Sequence, residues 1–504
     1  MAQWDTLVDG ALASLAARRV LLNTRLIALP PPPPPSETSF AGPGPGTRAT
    51  VEIQVDRASI RQWLAASQCP IYTSASQPCR SMPHFYLLVT ILNERCGGLT
   101  YVHTFVQFWL DGEVSSQEEE GEVSSQEEEG ELNRELILFS GNDYMCLSSH
   151  PAVREAAVKV LISFASRTVA AAQEYGMGPR GSSLICGYTT YHKLVEESLA
   201  KLQRKEDCLL CPTGFSANTA LMSALGSISS LLAAGRKPTQ DERIAIFSDA
   251  LNHASTIDGI RLVERQHQAA AFVYKHSDMS HLNFLLLFSM DGDFALLPQL
   301  VELRKKHGFL LVVDDAHGTL VCGENGGGIP ELFGCEDDID ICVGSLSKGA
   351  GCQGGFIACS TRWKRLILSR GRSFIFSTAL PLPVVASVHA AVHVAKKERW
   401  RRSVIWEHVR YFASLTKLNV TSPIIVIIVG SEEAAVKAHR HLLRSGFLVQ
   451  PIRPPVVPPN SSRLRITLSC AHTSDDIRRL VDALAPWLPT LQYAEQGCAS
   501  VSRL

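Results

Sequence analysis

The sequence predicts an α/β protein: a mostly parallel sheet with helices on both faces, followed by a smaller α+β domain. Three observations predict it. The runs Phe309–Val313, Ile339–Val343 and Phe356–Cys359 are short and almost continuously apolar, as strands buried on both faces are. Helical stretches share the chain with them, from Pro151 through Phe164 and over His192–Leu202, and a proline suits a helix's first turn. Residues with chemical capacity stand just past the strand runs, Asp314 after the first and Ser345 and Lys348 after the second. Open parallel sheets keep their ligand sites beyond the carboxyl ends of strands.

Taken in order, residues 1–135 form an N-terminal segment of irregular text. A short amphipathic helix is expected near Ala11–Leu22, and Pro30–Pro35 should be a stiff extended spacer. Ala41–Thr47 alternates glycine and proline as loops do, and the acidic stretch Gly112–Glu120 repeats at once as Gly121–Glu129. The large domain is expected over 136–395 and the small one over 396–490. Within the latter, Ile424–Val429 reads as a strand, Glu432–Arg444 as a helix, Arg463–Leu468 as a strand and Ser474–Leu488 as a closing helix. A tail, 491–504, ends in Ser502-Arg503-Leu504, which resembles the peroxisomal Ser-Lys-Leu address. The peroxisome is therefore the expected location, with the cytosol as the alternative.

Composition narrows the function. The 504 residues are 45 % hydrophobic and 19 % charged, enough for a sizeable core. Lysine plus arginine number 48 against 49 acids, a net charge of −1, so nothing favours a polyanion and nucleic acid is not an expected partner. No run reaches the ~18 apolar residues of a membrane helix, and Asp5 sits where a secretory signal wants a cation. A soluble intracellular protein is expected. The 14 cysteines are scattered and read as reduced core thiols. Cys208-Leu-Leu-Cys211 reads as core packing rather than a redox or metal pair. Gly176–Gly181 matches a dinucleotide pattern but follows a helix, not a strand.

The chemistry gathers at strand ends. Asp314-Asp315-Ala316-His317 lacks a further ligand cluster, so no metal is expected there. Lys348 leaves a buried strand among small residues, Gly344-Ser345-Leu346-Ser347 before it and Gly349-Ala350-Gly351 after. Small neighbours make room for a flat ligand, and a partly desolvated lysine attacks an aldehyde readily. An aspartate at another strand end completes the requirement of pyridoxal phosphate, which needs a lysine for its aldehyde and a carboxylate for its pyridine nitrogen. Gly214 and Phe215 open a helical run, and amides at a helix start hold phosphate.

These residues resemble the α-oxoamine synthases, and within them the plant-type biotin-pathway branch that makes 8-amino-7-oxononanoate. The similarity covers most of 136–488. It rests on Ser140-Gly-Asn142-Asp-Tyr144, Gly178-Pro-Arg-Gly181-Ser-Ser183 with Gly187-Tyr188, Asn252-His253-Ala-Ser255, Phe288-Ser289-Met-Asp-Gly-Asp293 and Asp314-Asp-Ala-His317-Gly. To these are added Ser347-Lys348, Phe376-Ser-Thr378, and Ile452-Arg453-Pro-Pro455 followed by Arg463-Leu-Arg465-Ile-Thr. The resemblance implies an aspartate-aminotransferase-like large domain that binds pyridoxal 5'-phosphate, and a homodimer with shared sites. It implies that Lys348 bonds the cofactor and removes the substrate Cα proton, that Asp314 holds the ring nitrogen, and that His317 and Ser289 bond the phenolic oxygen. His253 would stack on the ring. Gly214, Phe215 and Ser345, with Thr378 from the partner, would hold the phosphate. Arg465, with Asn142, would take the substrate carboxylate, and Arg453 joins the substrate-binding set. The implied reaction condenses L-alanine with a pimeloyl thioester, of coenzyme A or a carrier protein, and releases CO2. Relatives that use glycine or serine with another acyl group are the nearest alternative.

Two departures accompany the resemblance. Between His281 and Phe288 the family carries a further stretch with a sheet strand, and an acid where Leu285 stands here. Pro70–Leu110 reads as an insertion. Together with the acidic repeat they raise a further alternative, a catalytically impaired splice variant or subunit lacking an interior strand.

Overall fold

A computed structural model of the chain describes residues 2–17, 52–54, 135–161, 181–233, 236–274, 296–454 and 456–488. Ser289, Pro30–Pro35, Ala41–Thr47, Pro70–Leu110, the acidic repeat, Gly176–Arg180, the stretch from His281 to Phe288 and Ser502–Leu504 fall outside them. The chain divides into two compact units, Met1–Ile53 with Glu135–Leu504, and Gln54–Arg134. Of the second, only Gln54 is described.

The first unit begins with α1 (Ala2–Ala17) and holds Glu52 and Ile53 of the short β1 (Glu52–Gln54). The helix starts earlier than the stripe at Ala11–Leu22 suggests, because Trp4, Leu7 and Val8 extend its apolar face. Val8, Ala11, Leu12 and Leu15 are buried in the core that also takes the helix Gly214–Leu232. So α1 belongs to the main body and not to a separate N-terminal segment.

Next come β2 (Glu135–Leu138), α2 (Pro151–Leu161), α3 (Thr190–Leu202), β3 (Asp207–Cys211), α4 (Gly214–Leu232) and β4 (Ile244–Asp249). Then follow α5 (Ala254–Arg265), β5 (Ala269–Tyr274), α6 (Leu297–His307), β6 (Val312–Asp314), β7 (Ile341–Ser345) and β8 (Gly355–Cys359). Strands β3-β8-β7-β6 form one sheet and β4-β5 a second. The pairs β6/β7 and β4/β5 are parallel, while β8 runs antiparallel to both neighbours. Burial explains the apolar runs. Cys208, Leu210, Cys342 and Phe356 enter one core, and Leu209, Cys211, Ile341, Val343 and Ile357 enter the core on the other face. Cys208 and Cys211 are thus packing residues on opposite faces of β3 and remain free thiols.

Strand β6 begins at Val312 rather than Phe309 because a side chain competes for the ladder. The Asp340 carboxylate accepts the Leu311 amide at 2.7 Å and is itself gripped by Arg304 at 2.6 and 2.8 Å. A second buried ionic group ties α3 to the helix α7 (Thr361–Arg370). Lys364 Nζ lies 2.8 Å from Glu196 Oε2 and 2.8 Å from Asp207 Oδ1, and Glu196 also accepts from the Tyr188 hydroxyl and the Leu210 amide.

Among the described residues no strand lies between β6 and β4. Both line a cavity of about 660 Å³ whose wall includes Ile244, Ile246, Phe247, Leu310 and Val312, with Asn218 and Asp314 at its edge. Among the described residues, neither β4 nor β6 has a strand partner on the side of this cavity.

The C-terminal part adds α8 (Leu382–Lys397), α9 (Trp400–Thr416), β9 (Ile424–Gly430), α10 (Glu432–Arg444), β10 (Phe447–Leu448), β11 (Gln450–Ile452), β12 (Ser462–Thr467) and α11 (Ser474–Leu484). Strands β11-β12-β9 form an antiparallel sheet. The last helix stops before Leu488, as Pro486 sits in a 3-10 turn, Ala485–Trp487. Strand β2 pairs with β10, and Ile137 and Phe139 pack with Phe447, Leu464 and Leu480. The start of the large-domain text thus joins the C-terminal core.

Candidate active site

Asp314 closes β6, and its carboxylate is held before any ligand arrives. Oδ2 accepts from Asn218 Nδ2 at 2.8 Å and Oδ1 from the Ala316 amide at 3.1 Å. Asn218 lies one helical turn beyond Gly214 on α4, so it reaches the strand end from the same helix face. It also donates to Ser255 Oγ at 3.0 Å, and Ser255 Oγ meets His253 Nδ1 at 2.7 Å. His253 caps α5, accepting the Ser255 amide at 3.2 Å. Desolvation lowers its pKa, Lys348 adds to this, and Asp314 opposes it.

His317 is buried against Tyr144, whose hydroxyl shares a hydrogen bond of 2.7 Å with Nδ1. Burial pushes the Tyr144 pKa up, so the phenol keeps its proton and donates. Burial, then Lys348 and Arg465, hold the His317 pKa far below its usual value. A neutral ring that accepts at Nδ1 carries its proton at Nε2. His317 thus offers a donor to a ligand oxygen.

Lys348 follows β7 through Leu346 and Ser347. Burial lowers its pKa to about 8; Arg465 acts in the same direction, and Asp314 and Asp315 oppose. Ser345, the last residue of β7, bonds Ser347 Oγ at 2.8 Å. Opposite it stands the N-terminus of α4. Thr213 Oγ1 accepts the Ser216 amide at 3.0 Å, leaving the first-turn amides of Gly214 and Phe215 directed out of the helix end. The approach is close. A Cβ on Gly214 would lie 3.3 Å from Ser345 Cβ, and one on Gly355 only 2.5 Å from the Gly214 nitrogen. That narrow cradle of amides and a serine hydroxyl suits a phosphate.

Arg465, on β12, is buried. Its guanidinium donates to Asn142 Oδ1 and Thr467 Oγ1, each at 3.3 Å, and its charge acts on Tyr144, His317 and Lys348. The structure therefore brings Lys348, Asp314, His253, His317, Arg465 and Asn142 to one place, with Gly214, Phe215 and Ser345 forming the cradle. Arg453 lies past β11 and no hydrogen bond joins its side chain to Arg465, Asn142 or Lys348. Thr378 is exposed and bonds none of the cradle residues within the chain. Tyr144, Asn218 and Ser255 join the site through bonds that only the fold creates. The one signal the sequence holds for Asn218, a helical-turn spacing from Gly214, marks its place on α4 but not its bond to Asp314.

Comparison with known proteins identifies the family. The family described as aminotransferase class I and II matches residues 134–484. The 8-amino-7-oxononanoate synthase of Arabidopsis thaliana is 58 % identical over 397 residues, 76 % of this chain and 81 % of the relative. That of Geobacter sulfurreducens is 38 % identical over 376 residues, 70 % and 88 % of the two chains. Among solved structures, a Sphingomonas wittichii serine palmitoyltransferase superposes with a TM-score of 0.61 at 26 % identity, covering 71 % of this chain and 89 % of its own. The 8-amino-7-oxononanoate synthase of Francisella tularensis gives 0.57 at 25 %, covering 70 % and 97 %. With a lowered-pKa lysine, a clamped aspartate and a phosphate cradle matching the cofactor these enzymes use, the chain belongs to the pyridoxal-phosphate-dependent class I and II aminotransferase family, in its 8-amino-7-oxononanoate synthase branch.

Proposed function

We propose that this chain condenses L-alanine with a pimeloyl thioester in biotin biosynthesis. The new carbon–carbon bond joins the alanine Cα to the thioester carbonyl, the thiol departs, and the alanine carboxylate leaves as CO2, giving 8-amino-7-oxononanoate. The observation that carries the reading is Lys348, held at a pKa of about 8 beside Asp314 and Arg465. Bound pyridoxal phosphate supplies an electron sink for negative charge at the substrate Cα. The chain's residues do the rest. Gly214 and Phe215 amides and Ser345 Oγ bind the phosphate. Asp314, fixed by Asn218 and Ala316, keeps the ring nitrogen protonated. His317 donates from Nε2 to the ring oxygen. Lys348 Nζ, neutral part of the time near pH 7–8, takes the Cα proton and returns it. Arg465 and Asn142 orient the substrate carboxylate, a task suited to a guanidinium fork.

The reading includes a homodimer. Phe215, Phe376 and Ile185 are 47 %, 74 % and 64 % exposed, and Thr378 stands free near Phe376, where a second copy would cover them. It also includes the peroxisome, through Ser502-Arg503-Leu504, with the cytosol as alternative; masking that terminus with a fused tag should release the protein to the cytosol.

The test supplies purified protein with pyridoxal phosphate, fixes it with borohydride, and reads the added mass on Lys348. Free thiol is then followed with alanine and pimeloyl-CoA, and with glycine or serine and other thioesters. Thiol release with alanine and pimeloyl-CoA alone is the expected result; preference for glycine or serine would overturn it. That no strand joins β6 to β4 among the described residues favours a second reading, an impaired subunit. That reading predicts Lys348 labelling without thiol release, and recovery only as a heteromer with an intact synthase.

A further inference from the structure

Asp315 lies fully buried behind Asp314, and the chain is shaped around its carboxyl group. Its amide donates to Val343 O at 2.7 Å, tying it to β7. Oδ1 accepts from the Ile329 amide at 3.2 Å and Oδ2 from Thr319 Oγ1 at 3.0 Å. Two glycines give it room. A Cβ on Gly318 would fall 2.1 Å from Oδ1, and one on Gly328 would fall 1.6 Å from Oδ2. These bonds close the loop that leaves β6 and returns at Ile329. The loop carries both Ala316, whose amide holds Asp314, and His317.

Resting on the reading of Lys348, Asp314 and His317 as the cofactor's holders, we propose that Asp315 is the positioning residue of this site. It acts through Ala316 and His317 to set the ring-facing groups. The groups that face it are Asp314, Lys348, Cys322 and Cys342 by charge, and Thr319 and Ile329 by hydrogen bond. Burial pushes its carboxyl up to about 8, against the pull of the Ile329 and Thr319 bonds. Asp315 thus keeps its proton near neutrality and ionises over the range in which Lys348 gives up its own. The carboxylate that forms attracts the ammonium and delays its loss.

The test compares the full-length chain with Asp315→Asn, Asp315→Ala and Thr319→Val. Acetic anhydride competition across pH, read by mass spectrometry, gives the Lys348 titration without cofactor. Fluorescence quenching gives pyridoxal phosphate affinity, and a thermal melt confirms folding. Asp315→Asn keeps the shape and removes the charge, so the Lys348 midpoint should move down while affinity stays near wild type. Asp315→Ala should weaken cofactor binding roughly tenfold or more, and Thr319→Val less, as lost bonds to a buried acceptor do. An unmoved midpoint in Asp315→Asn, or wild-type affinity in both other variants, would overturn the proposal. If Asp315→Ala fails to fold, the remaining two variants decide it. Failure of the wild type to bind cofactor strikes the functional reading instead, and it is told apart because acetylation needs no cofactor.

Discussion

Capture of pyridoxal phosphate by Lys348 should quicken tenfold per unit of pH up to about pH 8 and then level off. The lysine's pKa falls from 10.5 to about 8, with burial the largest cause. Only an uncharged amine attacks an aldehyde. At pH 7 a group titrating at 8 is about one-tenth neutral, and one at 10.5 is about 0.03 % neutral, so the site raises the reactive fraction roughly 300-fold. The sign follows from the charge. A base gains its neutral form as pH rises, so the rate climbs below the pKa and is flat above it. Asp314→Asn removes an attraction that favours the ammonium and should move the break to lower pH. Arg465→Met removes a repulsion and should move it up. Stopped-flow absorbance gives the rates, and N-acetyl-lysine run in parallel removes the cofactor's own ionisations. A rate still climbing at pH 10, or two variants that shift the break the same way, would refute the electrostatic account.

Three further outcomes are expected. Asn218→Leu deprives Asp314 of its 2.8 Å donor, a loss of about 1–3 kcal/mol that should weaken pyridoxal phosphate binding roughly 5- to 150-fold in an equilibrium titration. Gly355→Val drives a side chain into the Gly214 amide and Thr213 carbonyl. It should abolish the preference for pyridoxal phosphate over pyridoxal, measured as a ratio of dissociation constants. Lys364→Met leaves Glu196 buried without its cation and should cost about 3–5 kcal/mol in chemical denaturation, with a second change, Glu196→Gln, recovering part of it.

Strand ends were legible because chemistry and hydropathy coincide there. A buried run followed by Asp314, and another followed by Ser345 and Lys348, name both the sheet and the site before any coordinates. The clamp residues were not legible. Asn218 is an ordinary helical asparagine until α4 is seen crossing the end of β6, and Tyr144 has no sequence signal for its bond to His317 across 173 positions. Strand boundaries failed where a side chain entered the ladder, as Asp340 does at Leu311. The extent of α1 failed for another reason, since Trp4 and Leu7 gain their value only by packing against α4 and α7.

Among the described residues, the break in the sheet between β6 and β4 does not fall where it would cost the chemistry most. Ser345 ends β7, Lys348 follows it and Gly214 follows β3, all on the continuous four-stranded side. Asp314 ends the edge strand β6, yet its oxygens are held by Asn218 of α4 and by its own following turn, not by a neighbouring strand. Only His253, after β4, stands on the far side, and Ser255 bridges it back to Asn218 at 3.0 Å. An unpaired strand edge removes ladder bonds and packing, which are terms of stability. The proton-holding groups depend on none of those lost bonds. Injury from the gap should therefore appear first as a low unfolding midpoint and a loosened His253–Ser255 contact, with the Lys348 titration preserved. A chain that is fully stable but has an ordinary Lys348, titrating near 10.5, would reverse that order and show the gap reaching into the site itself.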